Sequence, residues 1–272
     1  MLPTCKAART KVLITVKTYP TLSVKYNELV CTAGFREDGS WVRIYPIPFR
    51  CLDYDKRYLK YQWIELDLVK NDSDPRPESF KPVDYENIIL GEKVDTDGRA
   101  WTKRRELVLC NVHLSMDDLI AEAKDKSKVT SLAVFKPTEI IDFVIEKTTH
   151  EWDRRKVEAL DQGDLFKQSE NPFKVVKKLP FIFSYVFKDE SGKKSTLMIE
   201  DWEIGQLYWN CLKRKGTPKA ACDDVKKKYL DDFAFKKDLH YFLGTTRERH
   251  FIAKNPFIII GAFYPKKIMK SY

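Results

Sequence analysis

Long apolar runs and targeting signals are absent from this sequence. No window approaches the roughly 18 to 20 consecutive apolar residues that a membrane-spanning helix needs. The N-terminus carries neither an apolar stretch of signal-peptide length nor a small-residue cleavage site. The longest apolar run near the end, Phe257 to Phe263, is the length of a strand. We therefore expect a soluble cytoplasmic protein that has no membrane partner.

Metal-binding patterns are also lacking. The six cysteines form no CxxC pair, and neither the cysteine nor the histidine intervals match a common zinc spacing. Scattered cysteines in a chain without a secretion signal are typical of reduced core thiols. We expect no structural metal and no cofactor. The residues concerned are Cys5, Cys31, Cys51, Cys110, Cys211, Cys222, His113, His150, His240 and His250.

Recognisable catalytic motifs are missing as well. The sequence contains no GxGxxG, GxxxxGK[ST], GxSxG or HExxH. Nucleotide hydrolysis by a P-loop and serine-elbow hydrolysis are therefore disfavoured. Whether the protein is an enzyme stays open at this point.

Positive charge is abundant, and it is unevenly distributed. Residues 1–170 hold 28 Lys and Arg against 29 Asp and Glu, whereas residues 171–272 hold 21 against 11. A basic segment favours an anionic partner such as nucleic acid, because neutralising phosphates releases counterions. The alternative is that these lysines only keep the surface soluble. The first interpretation requires the cations after Asn171 to share one surface.

The pattern of apolar residues predicts a strand-rich α+β protein. Alternation indicates strands at 11–17, 29–35, 41–47, 63–70 and 106–112, and Asp38-Gly39 between two of them is typical of a hairpin turn. The stretch 49–62 is a candidate short helix, and 138–150 mixes helix and strand character. Further strands are predicted at 181–188, 195–200, 238–244 and 256–264.

Helix signals and a loss of periodicity suggest how the chain is divided. Ser115 is typical of a helix N-cap, and a helix pair is predicted at 202–232, with Gly216 between the two helices. Periodicity is lost at 161–173, which we interpret as a connector. We predict an N-terminal β domain with a helical extension at 1–160 and a basic C-terminal domain at 174–272.

Two strands carry aromatic residues that are candidates for binding. On the strand SWVRIYPIP, Trp41, Arg43 and Tyr45 share one face and could form a platform on which bases stack. The alternative places the aromatic rings in the core and Arg43 at its rim. On FIFSYVFK, four aromatic residues share a face, but so large an apolar strip favours a core position under the following helix.

The loop TTRERHFIAKN at 245–255 is the strongest candidate site. It lies between two strands that are predicted to be buried, and a basic loop tethered at both ends suits phosphate binding. The alternative is an ordinary polar hairpin loop. Its candidate nucleic-acid contacts are Arg247, Arg249, His250, Phe251 and Lys254.

Acidic residues offer a weaker hypothesis. Glu200, Asp201 and Glu203 at a strand-to-helix junction could place a divalent metal for phosphodiester cleavage. Carboxylates at a helix N-terminus are also favoured by the helix dipole alone, and we prefer that interpretation. In WIELDLVK, Glu65, Asp67 and Lys70 have the wrong spacing for a nuclease strand.

Three stretches resemble an uncharacterised family of prokaryotic proteins described as dual OB-fold-containing. They are VLITVKTYPTLSVKYNELVCTAGF with GSWVRIYPIPFR, then LMIEDWEIGQLYWNC, then FLGTT with NPFIIIGAFYP. The resemblance implies two small OB-like β-barrels and nucleic-acid binding, sometimes in antiviral defence or mobile-element settings. It carries over no catalytic residues.

Three hypotheses follow. The first is a protein that binds single-stranded or structured nucleic acid, DNA or RNA, on OB-like β surfaces and the basic C-terminal loop. The second is a metal-dependent nuclease or nucleotide-processing enzyme. The third is an adaptor subunit whose basic half docks on an acidic protein partner. The sequence leaves the oligomeric state open.

Overall fold

A computed structural model of the chain describes residues 7–23, 27–149, 151–152, 158 and 176–268. The N-terminal half contains β1 (Ala8–Lys17), β2 (Thr21–Ser23), β3 (Asn27–Phe35), β4 (Trp41–Ile47), β5 (Gln62–Lys70), β6 (Ser79–Pro82), β7 (Ile89–Lys93) and α1 (Thr102–Val108). The C-terminal half contains β8 (Val112–His113), α2 (Met116–Lys124), β9 (Leu132–Phe135), β10 (Glu139–Lys147), β11 (Phe181–Lys188), β12 (Lys194–Met198), α3 (Trp202–Lys215), α4 (Pro218–Lys226), β13 (His240–Thr245) and β14 (Phe257–Phe263). A π-helical segment, Lys227–Ala234, continues α4.

The N-terminal strands close into a five-stranded barrel. β1 pairs with both β3 and β5, β3 pairs with β4, β4 pairs in parallel with β6, and β6 pairs with β5. β2 is a short strand that pairs with the start of β3 and is not counted in the ring. The order around the ring is therefore first, second, third, fifth and fourth strand of the barrel. This Greek-key ring is the OB-fold arrangement, and the prediction of a strand-rich α+β fold with an OB-like barrel is confirmed.

Alternation together with a β-bulge between Ile14 and Val16 explains why β1 is buried on both faces. Val12 and Ile14 point into the barrel and pack in its interior core. Leu13 and Val16 belong to a separate cluster with Phe242 and residues of the C-terminal half, which packs against the outside of this strand. One strand therefore contributes to two cores.

The C-terminal strands follow the same order with a divided first strand. Pro137 lies between β9 and β10 and interrupts the strand, because proline lacks the amide hydrogen that a ladder requires. β9 pairs with β13, while β10 pairs with β11. β11 pairs with β12, β13 pairs with β14, and one parallel bridge, Ile199 to Ile259, joins the ends of β12 and β14. The second ring is thus OB-like, although a single bridge closes it.

The helices between β12 and β13 cover the second ring. Phe183, Tyr185 and Phe187 of β11 are almost fully buried, as the sequence predicted for this aromatic strip. The ring of Phe183 lies 6.1 Å from that of Tyr208 in α3, and the Tyr185 hydroxyl donates to the Tyr229 carbonyl at 2.6 Å. The helix pair predicted at 202–232 therefore completes this core.

Several local predictions agree with the structure, and one is wrong. Asp38-Gly39 turns the β3–β4 hairpin, with Gly39 at φ +79°. Gly216 ends α3 in the left-handed region, and Ser115 caps α2. In the predicted strand at 106–112, residues 106–108 instead end α1, where Leu107 and Val108 pack toward the second ring, and only Val112 belongs to a strand. The stretch at 49–62 forms two short 3-10 turns, and 139–147 is a strand.

The strand pairings differ from the division drawn on the sequence. Residues 132–147 lie in the sheets of the C-terminal half, although the sequence analysis assigned them to a domain ending at residue 160. The predicted connector at 161–173 lies outside the described residues. Within the part of the chain that the structure describes, no helix is long and apolar enough to cross a membrane.

Candidate nucleic-acid interface

The basic loop at 246–256 connects β13 to β14, the fourth and fifth strands of the second ring. Arg247, Arg249 and Lys254 are exposed. Phe251 is 49% exposed and Ile252 is 82% exposed. Among the described residues, none of the three cations forms an ion pair with a carboxylate. The loop therefore presents free positive charge beside exposed apolar surface.

Backbone hydrogen bonds give this loop a defined shape. The Thr246 carbonyl accepts from the amides of Arg249 at 3.3 Å and His250 at 3.0 Å. The Arg249 carbonyl accepts from the Ala253 amide at 3.0 Å, so the chain makes two successive turns. The Lys124 ammonium of α2 donates to the Lys254 carbonyl at 3.2 Å. The tip is fixed at both ends, although its side chains are exposed.

His250 anchors the loop and does not lie on its surface. Its side chain is fully buried, and Nδ1 lies 2.8 Å from the Thr245 hydroxyl. Burial lowers the pKa of this imidazole, and the nearby Arg76 and Arg43 lower it further. A neutral, buried ring cannot contact a ligand directly. His250 therefore supports the loop from inside and does not lie where the sequence suggested a contact with nucleic acid.

Arg43 is buried between the two rings. It is 2% exposed, and its guanidinium donates to the Ser131 hydroxyl at 2.7 Å and to the Ser131 carbonyl at 3.1 Å. Burial lowers the pKa of Arg43, and the neighbouring Arg76 lowers it further. The Glu78 carboxylate accepts from the Ser131 hydroxyl at 2.7 Å, which supplies negative charge nearby. Arg43 thus joins β4 to the start of β9.

The other two members of the predicted platform differ from Arg43 in their exposure. Trp41 is partly buried, with its ring 3.9 Å from Phe35 and 5.8 Å from Phe242 of the second ring. Tyr45 is 38% exposed. Strand alternation placed these side chains on one exposed face, but the second ring covers that face over Trp41 and Arg43. An aromatic–Arg–aromatic surface does not form there.

The connection between β5 and β6 of the first ring touches the basic loop. Arg76 donates to the Thr245 carbonyl at the base of that loop, and its guanidinium is paired with Asp74 at 2.5 Å. The side chains of Arg76 and Asp74 are 7% and 5% exposed. Burial alone would raise the pKa of Asp74, but hydrogen bonds from Arg76 and Ser79 lower it to about 2. The charge of Arg76 is thus compensated inside the protein.

The remaining C-terminal cations are spread over several elements. Some lie on the β11–β12 hairpin and others on the helices, and many are paired with carboxylates. The pairs are Lys188–Glu139, Lys193–Asp117, Arg214–Asp224, Lys215–Asp224, Lys226–Asp142 and Lys228–Asp232. The charge excess after Asn171 is therefore not a single basic face. Other exposed lysines of this half, such as Lys194, Lys213 and Lys219, also form no ion pair among the described residues, but only in the loop at 246–256 do three such cations lie in one short connection with the exposed ring of Phe251.

The three acidic residues Glu200, Asp201 and Glu203 have different surroundings. Asp201 caps α3 by accepting from the Glu203 amide at 3.3 Å, as expected for a helix N-terminus. The Lys60 ammonium lies 3.5 Å from Asp201 and 3.0 Å from Glu203. Burial raises the pKa of Asp201 to about 6, against the opposing charge of Lys60. Glu200 is not part of this contact; burial raises the pKa of Glu200, and the charge of Arg249 partly offsets that rise.

Among the described residues, no group of three or more His, Cys, Asp or Glu is placed to hold a metal ion. In β5, Glu65 and Asp67 face Arg9 of β1 at 3.8 Å and 3.6 Å. These carboxylates therefore interact with cations of the protein itself.

Sequence reasoning missed a second group of side chains, which lies between the rings. Lys17, Lys60 and Tyr61 come from the first ring, Trp101 and Arg104 come from α1 and its N-cap, and Asp201 and Tyr264 come from the second half. They are far apart in sequence and belong to no motif. The only part of this group that the sequence indicated was the acidic stretch Glu200–Glu203, which was interpreted as a helix N-terminus.

The strand order of both rings defines a protein of two OB-like barrels. The chain belongs to the family described as domain of unknown function DUF8757, which matches residues 112–272. Residues 8–110 match a second family, described as domain of unknown function DUF8758. The division between the two matches coincides with the division between the rings. No curated protein matches the chain in sequence.

One solved structure that matches is a crystal structure of the tetrameric p202 HIN2. It aligns with 96% of this chain and 92% of its own, at 8% identity and a TM-score of 0.31. Similarity that low supports no conclusion about this protein. The assignment of the fold therefore rests on the strand pairings themselves.

Proposed function

We propose that this protein binds single-stranded or structured nucleic acid, and that the loop at 246–256 is its main phosphate contact. The observation that carries the proposal is positional. This loop is the connection between the fourth and fifth strands of the second ring, which is one of the two loops that OB-folds use for oligonucleotides. Its exposed cations are the groups that such a loop needs.

The side chains of the loop suit a polyanion that carries flat bases. Arg247, Arg249 and Lys254 can each contact a phosphate, because their charges are exposed and face solvent. Phe251 offers a half-exposed ring, and stacking of one base on an aromatic ring is worth about 1–3 kcal/mol. Charge and stacking together are typical of binding without strong sequence preference.

The base of the loop supports its tip. The Thr245 amide donates to the Ser131 carbonyl at 3.1 Å, and the Thr245 hydroxyl bonds to the buried His250. A loop held in this way loses little conformational entropy when a ligand binds. The first ring contributes through Arg76, which contacts the same strand end.

Fluorescence anisotropy with labelled oligomers of about 15–20 nucleotides tests the proposal. Single-stranded DNA, duplex DNA and RNA are compared at low and moderate salt, since log affinity falls with log salt by about 0.7 per phosphate contact on single strands. The double variant Arg247→Ala/Arg249→Ala should lower the affinity about tenfold or more and reduce the salt slope by about 1.4.

A matched control removes two positive charges elsewhere in the same half. Arg214 and Lys215 lie at the end of α3 beside Asp224. The variant Arg214→Ala/Lys215→Ala should keep the wild-type slope. The proposal fails if the wild type shows no binding at low salt, or if the two double variants weaken binding equally.

The finer predictions of the sequence resemblance stay predictions. A setting in prokaryotic defence or on mobile elements, a cytoplasmic location and a protein partner are consistent with this proposal. None of them is needed for it.

A further inference from the structure

A cleft of about 430 Å³ lies between the two barrels, away from the basic loop. Its volume is within the range of about 300–1,000 Å³ that is typical of small-molecule sites. Charged and aromatic side chains predominate in its wall. The lining residues are Lys17, Leu59, Lys60, Tyr61, Lys93, Thr96, Trp101, Arg104, Asp201, Trp202, Glu203 and Tyr264.

Lys17 brings a largely buried ammonium group to this cleft. Its Nζ donates to the Tyr58 carbonyl at 3.3 Å and lies 4.3 Å from the centre of the Phe49 ring. Among the described residues it forms no ion pair, because Lys60 lies between Asp201 and Glu203. Burial lowers the pKa of Lys17 to about 8. A buried cation without a carboxylate partner is costly, and such groups are concentrated at functional sites.

Tyr61 provides an independent observation. It is 4% exposed, and its hydroxyl has no hydrogen-bond partner within the described part of the chain. The hydroxyl is itself closed off from solvent, so it is not placed to bond a ligand in the open cleft. Tyr61 and Trp101 also both adopt φ +61°, a conformation that is strained for bulky residues. Two strained aromatic residues in one wall are typical of a site shaped for binding.

The charges of the wall define the class of ligand. Four cations line the cleft, whereas two carboxylates do so, and Lys60 is paired with both of those. Lys60 neutralises one of the two carboxylate charges, and Lys17, Lys93 and Arg104 face the other, so the wall carries a net charge of about +2. Asp95 acts on Arg104 from outside the wall. A group with two negative charges and oxygen acceptors, such as a phosphate monoester, balances this excess.

We propose that the cleft between the two barrels binds a small phosphorylated molecule, whose phosphate is held by Lys17 and Lys93. The aromatic side chains of the wall, including Trp202 and Tyr264, provide apolar surface for a ring attached to the phosphate. A nucleoside monophosphate has both parts. This site is independent of the loop at 246–256.

Isothermal titration calorimetry of the full chain with three probes tests the proposal. The probes are adenosine 5′-monophosphate, adenosine and inorganic phosphate. The monophosphate should bind at least about tenfold more tightly than adenosine, because a charge-assisted bond is worth about 1.5–3 kcal/mol. If inorganic phosphate binds with an affinity similar to that of the monophosphate, the cleft is still an anion-binding site, and its ligand is the free phosphate ion.

Three variants assign the binding to the cleft. Lys17→Met keeps the apolar stem and should weaken monophosphate binding about tenfold or more. Lys93→Met removes the second cation of the phosphate site and should weaken it about two- to tenfold. Lys188→Met removes a surface cation that is paired with Glu139 and should leave it unchanged.

Two results would overturn the proposal. One is the absence of heat from both phosphate-bearing probes at millimolar concentration, with the protein shown to be folded by its thermal transition. The other is unchanged affinity in Lys17→Met. The double variant Arg247→Ala/Arg249→Ala should still bind the monophosphate, while Lys17→Met should still bind the oligomer, so the two proposals fail separately.

Discussion

The two barrels share one strand order, but they use the same connection differently. Between the fourth and fifth strands of the first barrel, Asp74 and Arg76 are buried and neutralise each other. Between the same strands of the second barrel, Arg247, Arg249 and Lys254 are exposed. The first connection serves as a support for the second, since Arg76 contacts Thr245. One fold position therefore has a structural role in one copy and is available for binding in the other.

The comparison also shows why total charge is a poor guide to a surface. Five described lysines of the second half are paired with nearby carboxylates and add little free charge, whereas the unpaired lysines are spread over the β11–β12 hairpin, the helices and the segment after β14. Exposed pairs of this kind typically contribute about 0–1 kcal/mol to stability. What distinguishes the basic loop is that three exposed cations without an ion pair among the described residues lie beside the half-exposed ring of Phe251 in one connection between two strands.

The contrast between the two connections predicts that removing a charge lowers the free energy of unfolding much more in the first barrel than in the second. Asp74→Ala leaves the guanidinium of Arg76 buried without its carboxylate, and we expect a loss of about 3–5 kcal/mol in the free energy of unfolding. Urea denaturation followed by tryptophan fluorescence measures it. As the control, Arg247→Ala in the exposed loop should change stability by less than about 0.5 kcal/mol. Equal effects would remove the distinction between the two connections.

The pH dependence of stability should distinguish the largely buried Lys17 of the cleft from the exposed cations of the loop, and this effect is smaller. The pKa of Lys17 is lowered to about 8 in the folded protein from 10.5. Between these values the unfolded chain holds the proton and the folded chain releases it, so stability rises with pH in this window. The gain relative to Lys17→Met should reach about 3 kcal/mol at most, measured by denaturation at pH 7.5, 9 and 10. A constant difference across these values would contradict the assignment.

Local signals in the sequence predicted local structure well. Asp38-Gly39, Ser115 and Gly216 marked a turn, a helix start and a helix end, because each satisfies a backbone requirement within a few residues. The aromatic strip of β11 was correctly assigned to the core under α3. The cations at 245–255 between two apolar runs also predicted a loop there, which the structure contains, whereas its role in binding stays a prediction.

Features that depend on contacts between the barrels could not be predicted from such local signals. Arg43 alternates correctly along β4, yet the second barrel buries it, and no residue near it in sequence indicates that. The pairing of β9 with β13 joins residues about a hundred positions apart, so the domain division could not be read from composition. The cleft combines Lys17, Tyr61 and Tyr264 in the same way.

Hydrogen–deuterium exchange with and without a bound single-stranded oligomer tests the central claim most directly. The account predicts that bound nucleic acid slows exchange in residues 246–256, while the buried connection at 71–78 changes little. Protection confined to the outer strands of the first barrel, with none at 246–256, would contradict it.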